Sequence, residues 1–174
     1  MSTKTNKYKV FLVDDEAMVR RMLEFRLKKR DDLEIYSYAS GEACMENLSQ
    51  KKPDIIILDY HMDTDNENNM NGLDTLLKIV ETEPESQVAM LSSQDNVGVA
   101  VDVLKKGAVD YIIKNSVFAV NTESAINKII QGIELKEEIK ELTARIKRDK
   151  LLMRGYFFII SVLVLLAIYF FFLR

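Results

Sequence analysis

Five short apolar runs alternate with amphipathic stretches over residues 8–130, and this alternation constrains the fold more than any other feature. The runs are rich in Val, Ile, Leu or Tyr, which is typical of strands buried on both faces of a sheet. Repeated strand–helix alternation indicates βαβ units and a parallel sheet. We therefore predict an α/β fold with a doubly wound, five-stranded parallel sheet, its strands lying at residues 8–13, 33–38, 55–58, 88–91 and 111–113.

The last predicted helix begins near Thr122 and meets no breaker before Gly155. It carries an apolar stripe about two heptads long, with spacings of 4, 3 and 4 between Leu135, Ile139, Leu142 and Ile146. The stripe fits two interpretations, a two-stranded coiled coil that forms a homodimer through residues 131–154, or a lone amphipathic helix folded back on the domain. The predicted order is an N-terminal tail at 1–7, a domain at 8–130 and a helical linker at 131–154.

Residues 155–173 contain no charged side chain. At about 1.5 Å per residue, a helix of this length spans about 28 Å, close to the thickness of the hydrocarbon core of a bilayer. A domain this small cannot surround so uniform a helix, which disfavours a buried core helix. Tyr156 and Tyr169 lie near the two ends, where aromatic side chains favour the membrane interface. We predict a single-pass transmembrane anchor at 155–173.

Cations flank the predicted span unevenly. One follows it, Arg174, and five precede it, namely Arg145, Lys147, Arg148, Lys150 and Arg154. Positive charge remains on the cytoplasmic side of a membrane, so the domain that precedes the span is predicted to be cytoplasmic. The first residues lack the apolar core of a secretory signal. We therefore expect a tail-anchored protein with the lipid bilayer as one partner, the basic run meeting anionic lipids.

Charge and composition exclude several functional classes. Residues 1–130 hold 16 Lys and Arg against 22 Asp and Glu, a net charge of −6, whereas residues 131–174 hold 8 against 5, a net charge of +3. An acidic domain lacks the clustered cations that a nucleic-acid surface needs, so no nucleic-acid partner is expected. One cysteine and one histidine exclude a disulfide framework, a Cys-rich zinc site and a multi-histidine metal centre.

Polar residues follow four of the five runs, where the carboxyl ends of parallel strands meet at one edge of the sheet. They are Asp14, Asp15, Glu16, Asp59, Ser92, Ser93 and Lys114. Crowded carboxylates need a counter-ion, and Mg²⁺ is a cation that suits oxygen ligands. A carboxylate beside such a cation can attack a phosphoryl group, and a hydroxyl and a lysine at the rim can hold the group transferred.

Six segments, in this order and at this spacing, resemble a known family: KVFLVDDE, ASGEA, KPDIIILD, GLDTLLK, VAMLSS and KKGAVDYIIK. The chain is similar to the CheY-like receiver domain of response regulators, a flavodoxin-like fold, over roughly residues 7–130. The resemblance implies that Asp59 is the phosphoacceptor. It also implies that Mg²⁺ is held by Asp14, Asp15, Asp59 and the backbone carbonyl of His61.

The resemblance also implies roles for residues around the acids. Ser92 would be the hydroxyl switch, Lys114 its salt-bridge partner, and Tyr111 the aromatic side chain that turns inward with it. His61 and Gln94 would lie near the route of the attacking water and tune the lifetime of the phosphoryl group.

The implied function is phosphoryl acceptance from a histidine kinase, a phosphotransfer protein or a small donor such as acetyl phosphate. Because no residues remain for an output domain, we expect a membrane-anchored, single-domain response regulator. Its phosphorylation would switch a protein-binding surface near 99–106 and Tyr111, read by an output protein near the membrane. We expect no enzyme activity beyond self-phosphorylation and autodephosphorylation. Two alternatives are a membrane scaffold that works without phosphorylation and a phosphate sink for a shared kinase.

The sequence departs from this family at two places. An insertion at 63–71, rich in Asn and Asp, is interpreted as a mobile rim beside the site. Its acids Asp63, Asp65 and Glu67 lack the glycine that a calcium loop requires. Asn115 stands where the family has a proline joined by a cis bond. Because a cis bond without proline costs about 2.5–4 kcal/mol, we predict a trans bond after Lys114, or a cis bond sustained by strain.

Overall fold

The computed structural model describes residues 7–62, 70–94 and 96–173. Its five strands form one parallel sheet in the order β2-β1-β3-β4-β5. The strands are β1 Tyr8–Val13, β2 Leu33–Tyr38, β3 Ile55–Asp59, β4 Gln87–Ser92 and β5 Asp110–Ile113. The helices are α1 Ala17–Leu27, α2 Gly41–Lys51, α3 Gly72–Thr82, α4 Val97–Lys105 and α5 Phe118–Phe172. The predicted fold class is confirmed. Residues 1–6 of the predicted tail, and Asp63, Asp65 and Glu67 of the insertion, lie outside the described residues.

The chain divides into two compact units between Ile129 and Ile130. The first unit contains the sheet and the beginning of α5. The second unit is helical from Ile130 to Phe172. The boundary falls one residue before the predicted end of the domain at residue 130.

Apolar side chains on both faces of the sheet explain why its strands are nearly continuous hydrophobic runs. On one face, strand residues Phe11, Val13, Ile56, Leu58, Val88 and Met90 form a core with α2, α3 and α4 through Cys44, Leu48, Leu76, Ile79 and Val103. Successive strand side chains point to opposite faces. The alternate residues, among them Leu12, Ile57 and Leu91, are also buried, which requires helices on the second face as well.

Helix α1 and the start of α5 are joined by polar contacts. Arg26 Nε donates to Glu123 Oε2 at 2.6 Å, and Arg30 donates to the side-chain oxygen of Asn127. Both helices bury apolar side chains beside these contacts, including Leu23 and Ile126. These two helices therefore lie next to each other in the first unit.

Helix α5 is longer than its sequence pattern predicts. It begins at Phe118 rather than near Thr122 and continues through Gly155. Asn115 caps its start, because the Val117 amide donates to Asn115 Oδ1 at 3.1 Å. A single glycine within a helix costs about 1 kcal/mol, which is too little to end a helix whose neighbours are good helix formers. Of the described helices, only α5 is long and apolar enough to cross a membrane, and its most apolar window is fully exposed.

Gly72 allows α3 to start directly against the carboxyl end of β3. A Cβ atom there would lie 2.1 Å from the Asp59 carbonyl oxygen and 2.7 Å from Tyr60 Cα. Both neighbours are backbone atoms, so neither can rotate away. The absence of a side chain at residue 72 thus fixes the position of α3 relative to Asp59.

We expect Gly72→Ala to lower the free energy of unfolding by about 1–3 kcal/mol or more, because the added methyl group forces backbone apart. Thermal unfolding of the full chain in detergent micelles, followed by circular dichroism, measures this loss. Gly132→Ala is the matched control, since a Cβ at that helical glycine meets nothing within 4 Å. Equal midpoints for the two variants would contradict the close approach at Gly72.

Candidate functional site

Three carboxylates meet at the carboxyl edge of the sheet. Asp14 and Asp15 follow β1, and Asp59 is the last residue of β3, the strand beside β1. One carboxylate oxygen from each of these residues lies within 4.8 Å of the others. Asp14 and Asp59 are buried, at 2% and 1% exposure. The three acids that the sequence predicts at one site are therefore brought together.

Lys114 provides a cation for this cluster. Its Nζ atom lies 2.9 Å from Asp59 Oδ2 and 2.9 Å from Asp14 Oδ2. Lys114 follows β5, which is separated from β3 by β4. Neighbouring strands lie about 4.8 Å apart, so only a long side chain reaches the acids from β5. Glu16 Oε1 contacts the same ammonium at 3.2 Å nearer the surface.

Backbone contacts hold the acidic turn after β1 in place. Arg20 Nη1 donates to the Asp14 carbonyl oxygen and to the Asp15 carbonyl oxygen at 3.0 Å. The Glu16 amide donates to Asp14 Oδ1 at 2.9 Å. The sequence pattern does not predict this role for Arg20, because an arginine on an amphipathic helix is indistinguishable there from a solvated surface residue. Nor does it predict the role of Gly72, since the close approach to Asp59 depends on the tertiary structure.

Asp14 Oδ2 is buried, and among the described residues it has no hydrogen-bond partner. It forms an ion pair with Lys114 Nζ at 2.9 Å. Because this one ammonium is shared with Asp59, the three carboxylates keep a net negative charge that a further cation compensates. Oxygen donors from three carboxylates are the ligands that Mg²⁺ prefers, so the residues present fit a divalent cation.

Burial dominates the electrostatics of the site. It raises the pKa of the Asp14 carboxyl to about 6, and the neighbouring Asp59 carboxylate adds to this rise. Burial also raises the pKa of Asp59, against the hydrogen bond from Lys114. Burial lowers the pKa of the Lys114 ammonium, but its contacts with Asp59 and Asp14 outweigh burial and raise the pKa above its usual value. The lysine therefore stays charged.

A chain of hydrogen bonds connects Ser92 with Tyr111. Ser92 is fully buried at the end of β4, and its Oγ atom accepts from the Gln94 amide at 3.2 Å. The Gln94 carbonyl accepts from the Tyr111 hydroxyl at 2.7 Å. The backbone of Lys114 joins the same strand end, because its amide donates to the Ser92 carbonyl at 2.7 Å. Gln94 therefore connects the Ser92 hydroxyl with the Tyr111 hydroxyl through its backbone amide and carbonyl.

His61 contacts Asp59 through its backbone rather than its ring. The His61 amide donates to Asp59 Oδ1 at 3.2 Å. The imidazole ring packs edge-on against Tyr60, with ring centres 4.8 Å apart. The side chains of His61 and Gln94 are both exposed, at the rim of the site.

The peptide bond after Lys114 is trans, since no cis bond occurs among the described residues. This agrees with the prediction from Asn115. The Asn115 amide donates to the Ile113 carbonyl at 2.9 Å, a bond that proline could not make because it has no amide hydrogen.

The family model of the response regulator receiver domain matches residues 10–126. The matched region contains both buried acids, the lysine that contacts them and Ser92. The chain belongs to the response regulator receiver family. The predicted resemblance is confirmed.

Individual relatives place this receiver domain in different contexts. The chain is 35% identical over 107 residues to the chemotaxis protein CheY of Listeria monocytogenes. The matched region is 61% of this chain and 85% of that protein. It is 32% identical over 148 residues to a protein-glutamate methylesterase/protein-glutamine glutaminase of Carboxydothermus hydrogenoformans, covering 83% of this chain but only 39% of the relative. Receiver domains thus occur both in signalling proteins and as parts of enzymes.

Solved receiver structures agree with the fold. The response regulator domain of Thermotoga maritima CheB matches with a TM-score of 0.61 and 26% identity, covering 72% of this chain and 96% of that one. A response regulator receiver domain protein from Clostridium thermocellum matches with a TM-score of 0.64 and 25% identity, covering 74% and 98%. Each solved chain is matched almost completely, so the receiver unit corresponds to a whole domain.

We expect Asp14→Asn to stabilise the protein in the presence of a metal chelator, and increasingly so as pH rises from 4 to 7. Because the pKa of Asp14 is about 6 in the folded protein, compared with about 3.9 in an unfolded chain, the folded state binds the proton more tightly. The wild type therefore loses stability as pH rises through this window, by about 2–3 kcal/mol. The asparagine variant has no carboxyl at this position, so its free energy of unfolding does not fall by this amount between pH 4 and 7.

Denaturant unfolding of both proteins at several pH values in detergent micelles measures the difference. The two should differ least near pH 4, where Asp14 is protonated in the folded state and about half protonated in the unfolded chain. A difference that does not change between pH 4 and 7 would show that burial does not raise the Asp14 pKa.

Proposed function

We propose that this protein is a membrane-anchored response regulator whose Asp59 accepts a phosphoryl group from a histidine kinase or phosphotransfer protein. One observation carries the proposal: the Asp59 carboxylate is buried at the carboxyl end of β3, 2.9 Å from Lys114 Nζ and clustered with Asp14 and Asp15. A carboxylate placed between a charged lysine and two further acids is suited to phosphoryl chemistry.

Asp14, Asp15, Asp59 and the backbone carbonyl of His61 would hold Mg²⁺. When bound, this ion neutralises charge on the phosphoryl oxygens and so lowers the repulsion that an anionic nucleophile meets. Three clustered carboxylates with one ammonium between Asp14 and Asp59 keep a net negative charge, which supports a cation at this place. The raised pKa of Asp14 means that a proton competes with the metal below about pH 6.

Asp59 would act as the nucleophile through one of its carboxylate oxygens. In the transfer from a phosphohistidine, a bond forms between this oxygen and phosphorus, and the bond between phosphorus and the imidazole nitrogen breaks. The electron pair of that bond remains on the imidazole, which leaves as a neutral ring when its other nitrogen carries a proton, so no acid from this chain is needed. Lys114 would then hold the transferred group as a point charge.

Ser92, Lys114 and Tyr111 would form the switch. The Ser92 hydroxyl would leave the Gln94 amide and donate to a phosphoryl oxygen on Asp59. Because the Gln94 carbonyl also holds the Tyr111 hydroxyl, this movement would draw Tyr111 inward and change the surface near 99–106. The phosphoryl group would shift the equilibrium between two arrangements of the loop after β4, and an output protein near the membrane would bind one of them in preference to the other.

His61 and Gln94 would tune the lifetime of the phosphoryl group. Both side chains are exposed at the rim, where water must approach the acyl phosphate on Asp59. We propose no enzymatic activity beyond self-phosphorylation and autodephosphorylation, because the acids beside Asp59, Asp14 and Asp15, would hold the metal ion and so would not protonate the leaving group of a metabolic substrate.

The apolar half of α5 would anchor the protein in a membrane, with 155–173 as a single span. The cations that precede this span, among them Arg148 and Lys150, would lie on the cytoplasmic side together with the receiver domain. They would contact anionic lipid headgroups rather than nucleic acid.

We expect the full chain in detergent micelles to gain one phosphoryl group from acetyl phosphate when Mg²⁺ is present. Asp59→Asn should abolish this gain, because an amide is not a nucleophile of the required strength. Intact-protein mass spectrometry and a phosphate-affinity gel measure the product.

Asp31→Asn is the matched control, since it removes one exposed carboxylate that follows α1 and precedes β2, away from the carboxyl edge. Phosphorylation of the Asp59→Asn protein would overturn the assignment of Asp59. A folded wild type that is not phosphorylated by acetyl phosphate or by kinases would favour the scaffold. Phosphorylation followed by rapid loss, with no phosphorylation-dependent binding partner, would favour the phosphate sink.

We expect Val162→Arg combined with Leu166→Arg to release the protein from membranes. Each arginine near the centre of a span opposes insertion by about 2.5–3.5 kcal/mol. Fractionation of cells followed by an alkaline carbonate wash measures the bound fraction.

The conservative pair Val162→Leu and Leu166→Val should remain in the membrane, as the wild type should. Release of the wild type by the alkaline wash would show that residues 155–173 do not span the bilayer. In sealed inverted vesicles, added protease should digest the receiver domain.

A further inference from the structure

The helical part of the second unit presents an apolar stripe that is open to its surroundings. The stripe consists of Leu135, Ile139, Leu142 and Ile146, which are 58%, 55%, 49% and 58% exposed. The residues between them are mostly charged, for example Glu137 and Glu141. Four large apolar side chains aligned on one face of an exposed helix are a surface that water disfavours.

We propose that the stripe pairs with the same stripe of a second copy of this chain, as a parallel, in-register, two-stranded coiled coil. The protein would then be a homodimer in the membrane. This inference rests on the membrane anchoring proposed above, because the anchor fixes the orientation of the two copies.

The residue types in the stripe favour a pair over larger assemblies. The spacings of 4, 3 and 4 place Ile139 and Ile146 at a positions of a heptad, with Leu135 and Leu142 at d positions. β-Branched residues at a together with leucine at d favour parallel two-stranded coils. A trimer or tetramer would favour Ile at both positions, or Leu at a with Ile at d.

The charges beyond the stripe set the C-terminal limit of the seam. Asp149 occupies the next d position. In a parallel coil, a d side chain lies opposite the same d side chain of the other helix, so two Asp149 carboxylates would face each other and repel. Arg145, at a g position, would face Lys150 of the second copy, which is also repulsive. The paired seam therefore extends from Leu135 to Ile146 and ends before Asp149.

Two heptads alone would form a weak coil. Helical segments of this length are marginal in water, and the pairing also loses translational freedom. Anchoring in a bilayer supplies what the short seam lacks, because it confines both copies to one plane and raises their effective concentration. It also excludes the antiparallel arrangement, since both chains insert in the same direction.

Disulfide cross-linking of the full chain in proteoliposomes tests this pairing. A disulfide forms only when two Cα atoms approach within about 7 Å, so it reports which positions face each other. Ile139→Cys and Leu142→Cys place thiols in the seam. Glu137→Cys and Ala144→Cys, both at f positions, place them on the far side of the same helix. The native Cys44 is fully buried and serves as an internal background.

We expect the two seam variants to be oxidised to dimers by copper phenanthroline at least about tenfold faster than the two f variants, in line with the distance limit for a disulfide. Equal rates at all four positions would indicate random collision and overturn the proposal. Absence of cross-linking at all four would overturn it as well.

A second substitution, added to one cysteine variant, tests whether the apolar contacts of the seam cause the cross-linking. In the Leu142→Cys background, Ile146→Glu should reduce cross-linking to the level of the f variants, whereas Lys147→Glu, one residue away on the outer face, should leave it near its original rate. If Ile146→Glu left the cross-linking rate as high as Lys147→Glu does, the proposed pairing through the stripe would be contradicted.

An alkaline wash of the same vesicles separates the two proposals. Protein that stays in the membrane but does not cross-link in the seam contradicts the dimer alone. Protein that leaves the membrane contradicts the anchoring, and with it this inference. Phosphorylation of Asp59 in each variant confirms that the receiver unit remains folded.

Discussion

The ammonium group of Lys114 is the interaction on which the edge of the sheet depends. Two carboxylates, Asp14 and Asp59, are almost completely buried there, and an ionised carboxylate is expensive to bury without a partner. Lys114 lies 2.9 Å from each. It nevertheless leaves one buried oxygen of Asp14 without a hydrogen bond, and the pKa of that carboxyl remains high. The three carboxylates are therefore only partly compensated by the lysine, which is the condition under which a divalent cation binds favourably.

The same lysine joins the acids to the elements around them. Its amide is bonded to the Ser92 carbonyl, and the next residue, Asn115, caps the start of α5. Ser92 is linked through Gln94 to Tyr111. Asp59 is therefore connected through Lys114 to the end of β4 and the start of α5 by a few contacts. Asn115 in place of a proline retains an amide donor at this junction.

The remainder of α5 has different physical requirements along its length. Its first turns bury Ala125 and Ile126 within the receiver unit, and Glu123 pairs with Arg26 on α1. Its final part is apolar around its whole circumference and exposed, a composition that suits lipid better than water. Between these parts, the charged helix exposes one narrow apolar stripe. The narrow apolar stripe of the middle part can be buried by one other helix, whereas the uniformly apolar surface of the final part can be buried only by lipid chains on all sides.

The sequence by itself determined the fold class and the identity of the acids, because strand periodicity and the polar residues at strand ends are local patterns. It also indicated the apolar helix, since an uncharged stretch of this length is unmistakable in composition. The early start of α5 was missed although Asn115 is a favourable N-cap residue, because the short segment between Asn115 and Thr122 carries too little periodicity to show that the helix has begun. Only the tertiary structure decided that Arg20 holds the acidic turn, because an arginine in a helical pattern has no preferred direction. Only the structure showed that Gly72 must lack a side chain, because that depends on how closely α3 approaches β3. The sequence placed Lys114 at this edge, but its reach across β4 to both Asp59 and Asp14 follows from the order of the strands.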